Sequence, residues 1–273
     1  MHSRSEYPSS PEWRLIDTPP AEGAWNMAVD EALAASVRAE GAPVLRFYRW
    51  EPACLSLGRN QPARGRYDLA ALEARGISVV RRPTGGRAVL HHRELTYSVA
   101  LPAALLGSPR QAYAAVNRAL VEGLRRLGVA AALQPASDRR APVPSVAPCF
   151  AEPVEGEVVA AGRKLVGSAQ RVVDGVLLQH GSLPIEDDQS LVSSLTVADA
   201  ASSMPPVGEG GSAALAALLG RVPEWKALTG ALAAGWTAAL GARLRADALT
   251  AEETARAEEA RARYASPAWT WHQ

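Results

Sequence analysis

Cysteine is scarce. Cys54 and Cys149 are the two in 273 residues, so a disulfide framework and a cysteine-based zinc site both lack material, and each thiol is weighed by itself. Net charge is close to absent as well. At a formal +1 the chain has no global basic field for DNA or RNA, and attraction for an acidic partner has to come from local clusters. Nucleic acid is therefore not the expected substrate. Long apolar runs are also missing: no stretch reaches the roughly 18 uninterrupted apolar residues of a membrane span, and the opening MHSRSEYPSSPEW lacks the apolar core of a signal peptide. What remains is the expectation of a globular, cytoplasmic protein with no membrane association. Apolar residues, 48% of the chain, suffice for a sizeable core.

The pattern of those apolar residues gives the elements. Trp13 to Ile16 reads as an opening strand, and Asn26 to Glu40 as a helix with Met27, Val29, Ala32 and Leu33 apolar. Val44 to Trp50 and Cys54 to Leu57 read as two adjacent strands turning at Glu51-Pro52, and Leu69 to Arg75 as a short helix. Val79 to Arg82, Ala88 to Leu90 and Leu95 to Leu101 form a β-rich region, with Gly85-Gly86 as the turn between the first two. The clearest helix starts at Pro109. There Tyr113, Val116, Leu120, Leu124 and Leu127 recur at three- and four-residue spacing, Gly128 supplies the stop, and the stripe should pack on the sheet.

Pro135 to Pro148, rich in proline, is expected to be an irregular loop that delivers Cys149. Beyond it, Glu157 to Ala160, Lys164 to Arg171 and Val176 to Ser182 read as a β meander with an Asp174-Gly175 hairpin turn, the last strand ending at His180-Gly181. Met204 to Ser212 reads as a linker, and Trp225 to Leu240 and Ala251 to Tyr264 as closing helices. Strands outnumber helices without a regular βαβ alternation. The expected fold class is therefore α+β, a mixed β-sheet flanked by helices.

Two strings carry chemistry. In the first, Arg81 to His91, a strand end, a glycine pair and three arginines let backbone N–H groups and guanidinium donors converge on an anion or a carbonyl oxygen. A bare glycine pair beside arginines is more often a solvated tight turn. In the second, Gly162 to Gln170 followed by Gln179 to Ser182, small residues stand wherever a ligand would approach the backbone. Lys164 there has Leu165 and Val166 on one side and Gly162 on the other, a context that suits a cleft. His180 at a strand end is a candidate base, although a lone histidine is more often structural. Cys54, in an apolar strand with no cationic neighbour in sequence, reads as a buried inert thiol.

MAVDEAL at Met27 to Leu33, SLGRNQ at Ser56 to Gln61, RRPTGGRAVLH at Arg81 to His91 and ELTYSV at Glu94 to Val99 belong together with three later features. These are Cys149-Phe150, GRKLVGSAQ at Gly162 to Gln170, and LQHGS at Leu178 to Ser182. Together they resemble the biotin/lipoate A/B protein ligase superfamily, most closely its LipM-type octanoyltransferases, over about residues 13–184. The resemblance implies one catalytic domain over residues 1–273, with a core of about 13–250 and a C-terminal helical extension of about 225–265. It implies an acyl tunnel between the Arg-Gly-Gly loop and the Lys164 strand. It also implies transfer of octanoate from octanoyl acyl carrier protein to a lysine of a lipoyl domain or of the glycine cleavage H protein. The family's nucleophile maps to Cys149 and its activating lysine to Lys164. Substrate contacts map to Arg82, Thr84, Gly85, Gly86, Arg87, His91, Gly167, Ser168, Ala169, His180 and Gly181.

The chemistry of these residue types agrees. A free cysteine with a pKa near 8.5 is only a few per cent thiolate at neutral pH. An ammonium about 4 Å away, at an effective dielectric near 20, attracts the thiolate by about 4 kcal/mol, enough to lower that pKa by a unit or two even when partly screened. Thioester exchange is nearly neutral in energy and amide formation from a thioester runs downhill, so no cofactor, ATP or metal is expected. Arg81, Arg82, Arg87 and Arg93 are expected to receive the pantetheine phosphate or the acidic carrier surface.

Three rivals share the resemblance or the tunnel. A lipoate protein ligase would activate free acid as an adenylate; Cys149 speaks against it, as does the expected absence of a further domain after about residue 265. An amidotransferase would shift octanoyl between lipoyl proteins through the same thioester. A silent acyl-binding protein would bind without turnover.

Overall fold

The protein, described by a computed structural model over residues 12–135, 150, 154–197 and 212–273, follows the hydrophobic periods closely in its first half. It begins with β1 (Glu12–Asp17), α1 (Gly23–Glu40), β2 (Val44–Tyr48), β3 (Cys54–Leu57), α2 (Leu69–Ala74), β4 (Ser78–Arg81), β5 (Val89–His91) and β6 (Glu94–Pro102). Next come α3 (Pro109–Arg126), β7 (Ala131–Leu133), β8 (Val158–Ala160), β9 (Arg163–Lys164), β10 (Gly167–Val173) and β11 (Val176–Pro184). The chain closes with α4 (Leu191–Ser194), α5 (Leu215–Leu219), α6 (Trp225–Leu240), β12 (Arg243–Asp247), α7 (Ala251–Tyr264) and α8 (Pro267–Thr270).

One mixed sheet of order β10-β11-β6-β2-β1-β12 carries helices on both faces. The period-two alternation of β2 shows how. Leu45 and Phe47 point into a core shared with α3 and α6, while Val44 and Tyr48 point into one shared with α1 and α7. The fold is α+β, a mixed sheet flanked by helices. Two smaller sheets, β4-β3-β5 and β7-β8-β9, sit beside it, and the first has its own apolar core with α2 and α4.

α3 begins where the sequence says it should. Ser108 and Gln111 close a reciprocal capping box around Pro109 at the first helical turn, which satisfies N–H groups that would otherwise be orphaned. It crosses α6 at a glycine pair: a Cβ on Gly235 would stand 2.4 Å from the backbone nitrogen of Gly123, so only glycine permits this approach. The Asp174-Gly175 turn joins β10 to β11 with φ of 49° and 78°, the conformation that a two-residue hairpin of this sequence favours.

Four expectations change. β2 and β3 do not pair, because the Glu51-Pro52 break sends β3 into the small sheet between β4 and β5. Lys164 to Arg171 is not one strand. Leu165 and Val166 both donate to the Val158 carbonyl (2.9 and 3.2 Å), which holds Lys164 in β9 and lets Gly167 begin β10 in the large sheet. β11 runs on to Pro184, past His180-Gly181. Between the closing helices a further strand, β12, pairs in parallel with β1, and the two are clamped by Arg14, whose guanidinium meets Asp247 at 2.8 Å and Glu253 at the start of α7. The loop expected at Pro135 to Pro148 falls, beyond its first residue, outside the described residues, as does Met204 to Ser212 except for its last residue. Among the described residues no helix is long and apolar enough to cross a membrane, and no cluster of metal-ligating side chains forms.

Candidate active site

Where α1, β6 and β11 face the small β4-β3-β5 sheet, a narrow slot opens whose empty space, its open mouth included, is about 410 Å³. Arg82, Gly86 and His91 form one wall. Gly167, Ser168, Ala169, His180 and Gly181 form the other, brought together by the antiparallel register that sets Ala169 opposite His180. Thr84, Gly85 and Arg87 are not on the slot surface; Thr84 acts from behind it, on His180. The sharp loop 82–87 is seated on Gly58, where a Cβ would stand 1.9 Å from the Gly86 carbonyl oxygen.

Two histidines hold the interior. Thr84 donates to His180 Nε2 (2.5 Å), and the opposite ring nitrogen, Nδ1, donates to Asp30 (3.1 Å). Burial lowers the His180 pKa by more than Asp30 raises it, so the ring is neutral and this tautomer follows. Burial also works against the charge of Asp30. The hydrogen bond from His180, the Arg46 guanidinium at 2.8 Å and the Ser98 hydroxyl outweigh it and hold the carboxyl below its ordinary value. On the facing side Arg82 donates to Ser56 Oγ (3.1 Å), Ser56 lies 2.7 Å from His91 Nε2, and His91 Nδ1 lies 2.8 Å from Glu94. Glu94 also accepts from Thr96 and Ser182, and Trp50 stacks on the His91 ring at 4.0 Å.

That second chain has the hydroxyl–imidazole–carboxylate order of a serine nucleophile. Here, however, the Ser56 oxygen is fully buried and shared with the Arg82 guanidinium, an environment that fixes a wall. Because these polar side chains bond to one another, they have little left to offer water or a polar ligand. The slot suits an apolar chain.

The arginines correct an expectation. Arg81 is fully buried and spends its guanidinium on the carbonyls of Gly58, Arg59, Gln61 and Thr270. Arg82 turns onto the carbonyls of Ser56, Gly85 and Arg87, and Arg93 is paired with Glu186 and Asp188. Arg81, fully enclosed, thus braces the protein and is out of a carrier's reach, while Arg93 keeps half of its side chain exposed. The sequence gives no sign that the last residues share in this: Trp269 donates to the Arg81 carbonyl at 2.8 Å, and the Gln273 carbonyl accepts from the N–H groups of Ala63 and Arg64.

Lys164 is not on the slot surface. It precedes Gly167 by three residues, at most about 10 Å of extended chain. Its ammonium meets Glu157 at 2.7 Å, the two side chains being only 3% and 6% exposed. The other Glu157 oxygen accepts from the Val154 N–H at 2.9 Å, Asn117 of α3 donates to the Gly156 carbonyl at 2.8 Å, and the Phe150 ring centroid is 5.6 Å from Nζ. Cys149, one residue before Phe150 in sequence, lies outside the described residues. Cys54 is fully buried, and burial pushes its thiol up to about 12, so at neutral pH it is inert.

Glu157, Asp30, Glu94 and Ser56 are the site residues that the sequence reading missed as such. Glu94 had a signal, three residues after His91. Glu157 had none, because its approach to Lys164 depends on the pairing of β8 with β9.

Residues 22–235 match the model of the lipoyl protein ligase A/B catalytic domain. Octanoyltransferase LipM of Kyrpidia tusciae is 42% identical, the match covering 96% of this chain and 99% of that protein. Octanoyltransferase LipM of Symbiobacterium thermophilum is 41% identical over 94% of this chain and 97% of its own. Among solved structures, a lipoate-protein ligase A bound with ATP superposes with a TM-score of 0.78 at 25% identity, covering 95% of this chain and 98% of that one.

Proposed function

This chain belongs to the lipoyl protein ligase A/B catalytic domain family, and on that footing we propose that it is an octanoyltransferase of lipoate biosynthesis. In this reading it takes octanoyl from octanoyl acyl carrier protein and gives it to a lysine of a lipoyl domain or of the glycine cleavage H protein, by way of a thioester on Cys149. One observation carries the proposal: likeness to octanoyltransferases over nearly the whole of both chains, at 41 and 42% identity. The geometry supports it with a narrow slot whose polar walls are internally satisfied, fit for a short acyl chain, and with a buried ammonium close in sequence to the slot's edge.

In the first half-reaction the Cys149 thiolate attacks the thioester carbon and the carbon–sulfur bond to the carrier breaks. The carrier leaves as a thiolate and takes up the proton that Cys149 had released. In the second, the neutral amine of the acceptor lysine attacks, the carbon–sulfur bond to Cys149 breaks, and the nitrogen sheds one proton. Cys149 is a thiolate again, and neither half needs ATP. Lys164 stabilises the thiolate and the oxyanion by its charge.

A second reading, ATP-dependent ligation of free acid, draws on the likeness to the ATP-bound ligase structure. The two separate in one experiment. Octanoyl acyl carrier protein and apo H protein are incubated with the enzyme without ATP, beside free octanoate with ATP, and the acceptor mass is followed. The gain of one octanoyl group in the first mixture only is the expected outcome; gain in the second only would replace the transferase reading by the ligase.

A further inference from the structure

The ion pair between Lys164 and Glu157 changes what Lys164 can do. A lysine near a catalytic thiol can serve as a base, which requires it to be neutral, or as a fixed positive charge, which requires it to stay protonated. A buried amine by itself would tend toward neutrality. Here a buried carboxylate stands 2.7 Å from Nζ, and that carboxylate is itself fixed by the Val154 N–H. The turn that carries both is tied to α3 by Asn117 through the Gly156 carbonyl. Among the described residues, Arg163, next to Lys164 on β9, points to the opposite face by strand alternation, and α3 meets the turn with the neutral Asn117. Among the described residues, the ionisable side chain paired with Lys164 is Glu157.

We propose that Glu157 is the positioning residue of Lys164, keeping it an ammonium aimed from β9, so that Lys164 acts in acyl transfer as a fixed charge and hydrogen-bond donor and not as a proton acceptor. This rests on the transferase reading for the identity of the reaction. The charge assignment stands independently of it. Glu157 also neutralises part of the field that Lys164 would exert on a thiolate, so the pair trades strength of activation for constancy of charge across pH.

The composition allows a direct test, because Lys164 and Lys226 are the two lysines of the chain and Lys226 is exposed. Protein labelled with ¹⁵N-lysine gives two side-chain amine signals, the exposed one serving as an internal reference. In the native protein the Lys164 nitrogen is expected to keep the shift of an ammonium at least as high in pH as Lys226 does. In Glu157→Gln, buried without its counter-charge, it should titrate two or more pH units lower. Single-turnover acylation by octanoyl acyl carrier protein should then slow at least tenfold at pH 8, with the alkaline limb of its pH profile moved down, and Glu157→Asp should recover part of both.

A Lys164 that is neutral at pH 7 in the native protein would overturn the proposal, with no variant needed. So would an unchanged titration and pH profile in folded Glu157→Gln. If the native protein forms no acyl adduct while the two nitrogen signals behave as expected, the charge role is upheld and the transferase reading falls.

Discussion

Among the described residues, an arginine and a lysine each meet a carboxylate in a buried pair near the slot, and the two pairs are built differently. Arg46–Asp30, with both side chains fully buried, lies among many partners: Arg46 also meets Thr18 and Asn26, and Asp30 also meets Tyr48, Ser98 and His180. Around Lys164–Glu157 the described residues place one backbone N–H on the carboxylate and an aromatic ring beside the ammonium. A guanidinium does not lose its proton in proteins, whereas an ammonium can. The first pair therefore specifies shape, joining α1, β2, β6 and β11 into one wall. The second, in the proposed reaction, holds a charge whose state the transfer depends on.

The comparison breaks or sharpens at several points. The largest effect is expected at Asp30→Ala, which leaves Arg46 buried without its counter-charge and His180, Tyr48 and Ser98 without an acceptor; a loss of about 3–5 kcal/mol in urea unfolding follows. Next is Lys164→Met. Transfer should fall about 10²–10³-fold, the scale of removing one oxyanion donor. Adding Glu157→Leu should restore much of the folding stability, since both partners are then gone, but none of the activity. The same double replacement at Arg46 and Asp30 should not restore stability, because the surrounding donors would be stranded; if it did, the contrast between the pairs would fail.

A smaller effect is expected from pH. His180 has a folded value below its ordinary one, so the unfolded chain binds a proton that the folded chain refuses, and stability rises with pH in that window. Unfolding free energy should be full above pH of about 6.5 and decline below it by up to about 1.4 kcal/mol per unit, with His180→Gln flattening this slope. Asp30, with its folded value depressed, adds a further loss as pH falls below about 4. Smallest is Cys54→Ala, which should leave transfer within about twofold and lower stability by about 1 kcal/mol, the loss of one buried small group.

The sequence made legible those parts of the fold that depend on local periods. α3 from Pro109, the Asp174-Gly175 turn and the limits of α6 and α7 follow from spacing within the segment. It misplaced what depends on partners far away. Nothing in Leu165-Val166 says that the chain changes sheets there, and β12 reads as a charged connection, RLRAD, until β1 is beside it.

The site divides in the same way. Arg82, Gly86, His91, Ala169 and His180, candidates by their motifs, line one slot. The carboxylates that pair with His180, His91 and Lys164, namely Asp30, Glu94 and Glu157, act across 150, three and seven positions of sequence, and the first and last pairings leave no pattern to read. Arg81 reads as a ligand in the sequence because an arginine near glycines suits anions; that it instead ties carbonyls together depends on loop closure that spacing does not encode.

The most direct test is the intact mass of the purified enzyme after mixing with octanoyl acyl carrier protein, without ATP, beside Cys149→Ala and Cys54→Ala. The account expects a hydroxylamine-labile gain of one octanoyl group in the native enzyme and in Cys54→Ala, and none in Cys149→Ala. An adduct that survives in Cys149→Ala, or none in the native enzyme while octanoyl-adenylate forms from free octanoate and ATP, would contradict it.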